Sequence, residues 1–196
     1  MKRLFDIVFS GIGLLLFLLP ILLIAGLIKI LMPGPIIFSQ KRIGKYGKSF
    51  KLYKFRSMLS SQKKSEGSFD LGDASRVTPL GSLLRATKLD ELPQLFNVLI
   101  GQMSLVGPRP EVEKWTSIYP EKWKIVHRVR PGITDNASII YRNEEDILKK
   151  SSDPEKLYRE GILPQKLDLY IQYVNHNTLL GDISIIFKTI RAIIFK

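Results

Sequence analysis

Apolar residues crowd both ends of the chain, and the two ends differ in pattern. From Ile7 to Ile28 there is no charged residue, and most positions are Leu, Ile, Val or Phe. About 20 apolar residues suffice for a helix to cross a bilayer, so a membrane-inserted helix is predicted. Pro20 lies near its centre, where it removes a backbone hydrogen bond and breaks the helix, so the break is expected at Leu19-Pro20. Freed backbone groups near Leu16 to Leu19 would then need partners from protein, headgroups or water. Lys2 and Arg3 flank one end, while Lys29, Lys41 and Arg42 follow the other. With cations on both sides, the positive-inside rule gives no orientation for a simple span. A helix that dips in and returns satisfies both flanks; a kinked single span is the competing geometry. A cleaved signal peptide is not expected, because the apolar run is too long and no Ala-x-Ala-like site precedes the basic region.

Downstream the period shortens. Ile36–Gln40 and Phe50–Phe55 read as two short strands joined through Gly44-Lys45-Tyr46-Gly47. Leu59 to Ser75 is rich in Ser, Lys, Gly and Asp and predicts a mobile surface loop. Thr78 is a helix N-cap with Pro79 in the first helical position, and that helix is expected to end near Lys88. A second short helix follows at Asp90-Glu91 and stops at Gly101. In the last segment, 182–196, Ile183, Ile186, Ile190, Ile193 and Ile194 recur at helical spacing, with Lys188, Arg191 and Lys196 elsewhere. Such a helix either lies in a membrane interface with its cations reaching headgroups, or covers the core of the domain.

Composition narrows the partners. The 196 residues suit one domain. A net charge of +12 and a pI near 9.9 predict acidic partners: phosphates, nucleic acid or an anionic membrane surface. Between Ile7 and Ser65 there is no Asp or Glu, while Lys41, Arg42, Lys45, Lys48, Lys51, Lys54 and Arg56 follow one another. Beside an apolar segment, that block suits anionic headgroups or a phosphorylated ligand. Nucleic acid is not expected, since neither an aromatic-rich stacking strand nor a base-reading helix is evident. The absence of cysteine excludes disulfides, thiolate zinc sites and thiol nucleophiles, and fits a domain facing the cytoplasm. His127 and His176 lie far apart and read as structural or solvent-facing. No chemistry is evident in the mixed-charge region from Glu144 to Lys166.

Candidate chemistry sits in Leu89-Asp90-Glu91-Leu92-Pro93-Gln94-Leu95-Phe96-Asn97-Val98, just after Arg85 and Lys88. Pro93 is tolerated in a first helical turn. An aspartate before such a turn caps it, and the helix dipole keeps its carboxylate ionised. An ionised carboxylate beside cations suits a metal ion or a nucleophile aimed at phosphorus, although the same pattern also opens ordinary helices. Two proline-flanked arginines follow, in Gly107-Pro108-Arg109-Pro110 and Val129-Arg130-Pro131-Gly132. Their stiff backbones pre-position a guanidinium whose planar fork matches phosphate oxygens. Either motif alone reads as a surface turn. Together with Arg85 and the carboxylate pair, they predict a diphosphate site.

The ordered set of motifs is Lys2-Arg3-Leu4-Phe5-Asp6, a proline-broken apolar helix, Phe38-Ser39-Gln40-Lys41-Arg42-Ile43-Gly44, Lys54-Phe55-Arg56-Ser57-Met58, Leu89-Asp90-Glu91-Leu92-Pro93-Gln94-Leu95, Val106-Gly107-Pro108-Arg109-Pro110 and Arg130-Pro131-Gly132-Ile133-Thr134. This set resembles the bacterial sugar transferases, small monotopic phosphoglycosyl transferases that start glycoconjugate assembly on polyprenyl phosphate. The resemblance covers nearly the whole chain. It implies transfer of sugar 1-phosphate from a UDP-sugar to polyprenyl (undecaprenyl) phosphate with loss of UMP. Asp90 would be the nucleophile and hold a phosphosugar covalently. Glu91, on the adjacent position about 100° around a helix, would bind magnesium with Asp90 or orient the acceptor. Arg85, Arg109 and Arg130 would position phosphates, with Pro108 and Pro110 stiffening the Arg109 segment and Lys54 and Arg56 as secondary candidates.

For the fold, the resemblance implies an α+β, mainly helical chain. Residues 1–32 would form a re-entrant membrane helix broken at Leu19 and Pro20, 33–181 a cytoplasmic catalytic domain with a small β-hairpin, and 182–196 an interfacial amphipathic helix. Mg²⁺ is the implied cofactor. UDP-sugar, polyprenyl phosphate and membrane lipids are the implied partners, with no nucleic acid and with a homodimer as a compatible assembly. The location would be the cytoplasmic face of the bacterial inner membrane. Two departures stand out: Asp135-Asn136-Ala137-Ser138 replaces the usual Gly-Leu-Ala-Gln, and Leu19-Pro20 replaces a frequent Ser-Pro. A non-enzymatic, membrane-anchored scaffold for anionic lipid is the alternative reading, and it leaves the carboxylate pair without a role.

Overall fold

The computed structural model describes residues 1–59 and 76–195; the expected loop at Leu59–Ser75, apart from Leu59, lies outside the described residues. Two helices, α1 (Lys2–Leu16) and α2 (Leu18–Leu31), meet at a 60° bend. The bend falls at Phe17 rather than at the expected Leu19-Pro20. Proline acts on the carbonyl four residues before it: Pro20 lacks the N–H that Leu16 would need, and its ring crowds that carbonyl. The first helix therefore ends at Leu16, and Pro20 falls in the first turn of α2, where it is tolerated. The chain rejoins at once, with Ile21 N donating to Phe17 O at 2.8 Å. Neither helix alone is long and apolar enough to cross a membrane, whereas the bent pair is so by length and composition.

Both ends of this pair dock on the same body. At the start of α1, the buried Asp6 accepts from Ser104 Oγ at 2.9 Å and Leu105 N at 3.0 Å. Lys2 Nζ donates to Val106 O at 3.0 Å and pairs with Asp182. Arg3 donates to Val98 O and Leu99 O at 2.6 and 2.9 Å. At the far end of α2, Ile24, Ile28 and Met32 are buried against Phe55 and Leu84. The outer faces keep Leu15, Leu16, Leu19, Leu22, Leu23 and Ile30 exposed.

The hairpin forms as read, with the first strand longer: β1 (Ile37–Ile43) pairs antiparallel with β2 (Ser49–Phe55), Phe38 opposite Lys54. Helix α3 (Pro79–Ala86) is capped by Thr78 Oγ1, which accepts from Gly81 N at 3.0 Å. Lys88 then takes a left-handed conformation (φ 59°), a 3₁₀ turn spans Leu89–Glu91, and α4 runs Gln94–Leu99. Strand β3 (Ser104–Val106) follows, then α5 (Glu113–Thr116), α6 (Pro120–Val126) and β4 (Gly132–Thr134). Strands β3 and β4 pair in parallel, Ser104 with Gly132 and Val106 with Thr134, which the sequence reading did not anticipate.

Helices α7 (Asn136–Ile140), α8 (Glu144–Lys149) and α9 (Pro154–Lys156) lead through a π-helical segment at Leu157–Ile162 into α10 (Leu163–His176) and α11 (Leu179–Ile194). The largest apolar cluster joins Trp115, Trp123, Leu148, Tyr158, Leu163 and Leu167, so the region from Glu144 to Lys166 supplies core. His127 stacks on Trp123 with ring centroids 5.2 Å apart, and His176 is exposed. Helix α11 starts three residues before the expected boundary at Asp182. One face buries Asp182 and Ile185; the other exposes Phe187, Ile190 and Ile194 beside Lys188 and Arg191. The core-covering reading therefore holds for one face of this helix, while the other face is exposed.

Candidate active site

Asn97 fixes where the carboxylates lie. Fully buried on α4, it accepts from Tyr53 N at 3.1 Å and donates to Lys51 O at 2.8 Å and Gln102 Oε1 at 2.7 Å. These bonds bolt α4 to β2 and set the Leu89–Glu91 turn beside Lys54. Leu89 and Leu92 complete the seat by packing against the Phe55–Leu84 cluster.

Arg109 arrives from the opposite side, just beyond β3. Gly107 N donates to Thr134 O at 3.0 Å, and Gly132 N donates to Pro108 O at 3.0 Å, so β4 holds the segment that carries the guanidinium. Arg42 Nη1 donates to Pro110 O at 3.2 Å and to Glu111 Oε2 at 3.0 Å, steadying its other end. The two proline-flanked arginine motifs are therefore one structural unit rather than two independent phosphate arms.

Both cations meet one oxygen. Lys54 Nζ lies 2.8 Å and Arg109 Nη2 lies 2.6 Å from Glu91 Oε1. Asp90 is buried next to them, its Oδ2 3.9 Å from Lys54 Nζ. The other oxygen, Oδ1, is buried without a hydrogen-bond partner. Asp90 does not cap a helix as expected: no side chain caps the 3₁₀ turn or α4.

The electrostatics separate the two carboxylates. Burial pushes the Asp90 carboxyl above its ordinary value; Lys54 opposes this, and the neighbouring Glu91 charge adds to it. Burial pushes Glu91 up as well, but the Arg109 guanidinium and Lys54 outweigh it and hold Glu91 well below the usual carboxylate range. Burial also lowers Lys54, against the pull of Glu91, while Glu91 raises Arg109 further above its ordinary value. Glu91 is thus the charge partner of the cations, and Asp90 keeps an uncommitted oxygen in a cationic pocket.

Such an oxygen can attack an electrophilic phosphorus or bind a hard cation. No group of three or more His, Asp or Glu capable of holding a metal occurs among the described residues. A divalent ion here would have at most the Asp90 and Glu91 carboxylates and would take its remaining ligands from water and substrate phosphates. That donor set suits magnesium, which keeps several waters and binds through one or two carboxylates.

The remaining sequence-derived candidates go elsewhere. Arg85 pairs with Glu145. Arg56 is buried and donates to the carbonyls of Met32 and, at 2.6 Å, Pro33, tying down the end of α2. Arg130 Nε donates to Gly101 O at 2.8 Å, beyond the C-terminus of α4, where a cation complements the helix dipole. The carbonyls of Pro108 and Pro110 are engaged by Gly132 and Arg42. Of the five cationic candidates, the structure brings Lys54 and Arg109 to the carboxylate pair and places Arg85, Arg56 and Arg130 in other contacts.

Sequence reasoning quoted Asn97, Gln94 and Asp135 within its motifs without giving any of them a role. Asp135 N-caps α7, accepting from Ser138 N at 2.9 Å and Ser138 Oγ at 2.5 Å, and lies near enough to Arg109 for their charges to interact. The Asp-x-x-Ser spacing was the available signal. For Asn97, no local signal exists, because both of its main partners lie on β2.

The family model described as bacterial sugar transferase matches residues 1–196. A UDP-N-acetylgalactosamine-undecaprenyl-phosphate N-acetylgalactosaminephosphotransferase of Aeromonas hydrophila is 36% identical, over 98% of this chain and 43% of its own length. A UDP-glucose:undecaprenyl-phosphate glucose-1-phosphate transferase of Klebsiella pneumoniae is 38% identical, over 96% of this chain and 39% of its own. The exopolysaccharide production protein PSS of Rhizobium leguminosarum bv. phaseoli is 40% identical, over 97% of this chain and 93% of its own. The chain thus spans less than half of the first two relatives and nearly all of the third.

Proposed function

The chain belongs to the bacterial sugar transferase family, and on that premise we propose that it transfers sugar 1-phosphate from a UDP-sugar to undecaprenyl phosphate. Asp90 carries the reading: it is a buried carboxylate with one unpartnered oxygen beside cations that are already matched to Glu91.

Transfer proceeds in two displacements. The Asp90 carboxylate attacks the sugar-bearing phosphorus of the donor; the P–O bond to the uridine phosphate breaks, and UMP leaves with its electron pair. An oxygen of the lipid phosphate then attacks the aspartyl phosphosugar, the acyl P–O bond breaks, and the carboxylate is restored as polyprenyl diphosphate sugar departs. The mixed anhydride divides one hard displacement into two easier ones. Glu91 holds Lys54 and Arg109 in place, and these cations face the diphosphate. Asp90 and Glu91 are the residues that would hold magnesium, which would neutralise charge on the phosphate oxygens.

The same proposal places α1 and α2 in the cytoplasmic leaflet of the bacterial inner membrane as a re-entrant pair. Support comes from the docking of Asp6 and of Met32, at opposite ends of the pair, on one body. A span would carry one end about 30 Å away across the hydrocarbon core. The exposed face of α11, with Phe187, Ile190, Lys188 and Arg191, suits the interface of that leaflet.

The test is UMP release by detergent-solubilised protein given undecaprenyl phosphate, magnesium and a panel of UDP-sugars. Release that stops with EDTA and with Asp90→Asn is expected. Turnover persisting in Asp90→Asn would overturn the covalent route, and silence of the folded wild-type protein across the panel would overturn the transfer.

A further inference from the structure

Asp90 Oδ1 has a counterpart on the next turn: Gln94 Nε2 is also buried without a hydrogen-bond partner. Buried donors in native proteins are nearly always matched, so an orphan calls for an explanation. Gln94 opens α4 and is 2% exposed. It follows Glu91 by three residues and Asp90 by four, separations at which side chains share one face of a helical segment. The backbone between them is right-handed helical throughout, with Leu92 at φ −51°, ψ −38° and Pro93 at φ −60°, ψ −17°.

Neighbouring side chains on this segment have partners in the free protein. Asn97 ties α4 to β2, Leu92 packs on the Phe55–Leu84 cluster, and Glu91 binds two cations. Gln94 Nε2 has none. On the face that its spacing shares with the carboxylates, a neutral amide donor matches an anionic oxygen, which a phosphoryl donor carries. It would bind that oxygen without adding positive charge that would quench Asp90.

We propose that Gln94 is a further substrate-binding residue, its Nε2 donating to a non-bridging oxygen of the phosphoryl group that Asp90 attacks. The assignment rests on the proposed transfer reaction. A fixed donor aimed at oxygens that gain charge during displacement favours the transition state over the ground state.

Gln94→Met tests this in the full-length protein, because it keeps side-chain length and removes the donor. Two quantities are read together, thermal stability without substrate and UMP release with UDP-sugar and undecaprenyl phosphate. The expected result is a Tm equal to or above wild type, since an unmatched polar atom leaves a buried site. Turnover should fall on the order of 10²-fold, mainly in kcat. Turnover within about twofold of wild type, or a Tm that falls in step with turnover, would overturn the assignment. Should Gln94→Met fail to fold, Gln94→Leu, which also removes the donor without adding charge, decides on the same two readouts, with a comparable loss of turnover at a Tm no lower than wild type expected. Silence of the wild-type protein in this assay would overturn the transfer reading itself; an active wild type with an unimpaired Gln94 variant overturns the Gln94 assignment alone.

Discussion

Gly107 and Gly132 pack so closely that a Cβ on Gly132 would lie 2.1 Å from the Gly107 amide nitrogen. Two glycines from separate motifs thus let β3 and β4 pair and hold the backbone from which Arg109 reaches Glu91. Gly132→Ala should force the strands apart and cost about 3 kcal/mol or more, in the range of severe overpacking. Thermal denaturation checks the stability, and a turnover loss in the surviving folded fraction checks the displacement of Arg109. A Tm within a degree or two of wild type would show that the strand pair is not so tightly built.

Glu91 balances two cations through one oxygen, so Glu91→Gln removes their shared counter-charge and leaves Lys54 only the more distant Asp90, at 3.9 Å. A loss of about 2–3 kcal/mol is expected, somewhat below the usual cost of breaking a buried ion pair because both cations retain some solvent contact. Urea denaturation near neutral pH would measure it. Glu91 is depressed in the fold, so its stabilisation is present above its unfolded pKa and disappears as pH falls through the folded one. An unchanged midpoint in Glu91→Gln would overturn its role as the charge partner.

As the proposed nucleophile, Asp90 would attack only when ionised, and burial raises its pKa. The acidic limb of kcat/KM should therefore lie above the ordinary aspartate value, with activity lost as pH falls through it. Glu91, held low, stays ionised over that range. Because the fold disfavours the Asp90 charge, Asp90→Asn should keep or raise the Tm at neutral pH while abolishing turnover. A pH profile with its acidic limb at or below the ordinary aspartate value would show that substrate or metal resets the site.

Arg85 lies in an ion pair with Glu145, and the Glu145 side chain is more than half exposed. Arg85→Ala should shift stability by less than about 1 kcal/mol and leave KM for the UDP-sugar unchanged. A KM raised about tenfold would return Arg85 to the phosphate site, through rearrangement on binding.

A cysteine added ahead of Met1 and Lys48→Cys are clean topology reporters in a chain without cysteine. If α1 and α2 re-enter, an impermeant maleimide should label both only in inverted vesicles. Opposite sidedness would restore the single span.

What the sequence determined by itself was mostly local. The proline-broken apolar segment, the glycine-linked hairpin, the Thr78 cap and the adjacent carboxylates each follow from neighbours within a few residues. The position of the helix break needed one more local rule, that proline acts on the carbonyl four residues back. Which cations serve the site was a different kind of question. Arg85, Arg56, Arg130, Lys54 and Arg109 look alike along the chain, and each can reach several partners. Only the tertiary structure sorted them: Asn97 carries the carboxylate turn to Lys54, and the Gly107–Gly132 contact carries Arg109 to the same oxygen. Those placements come from bonds between residues far apart in sequence, whose energies depend on burial and on distances that no local pattern encodes.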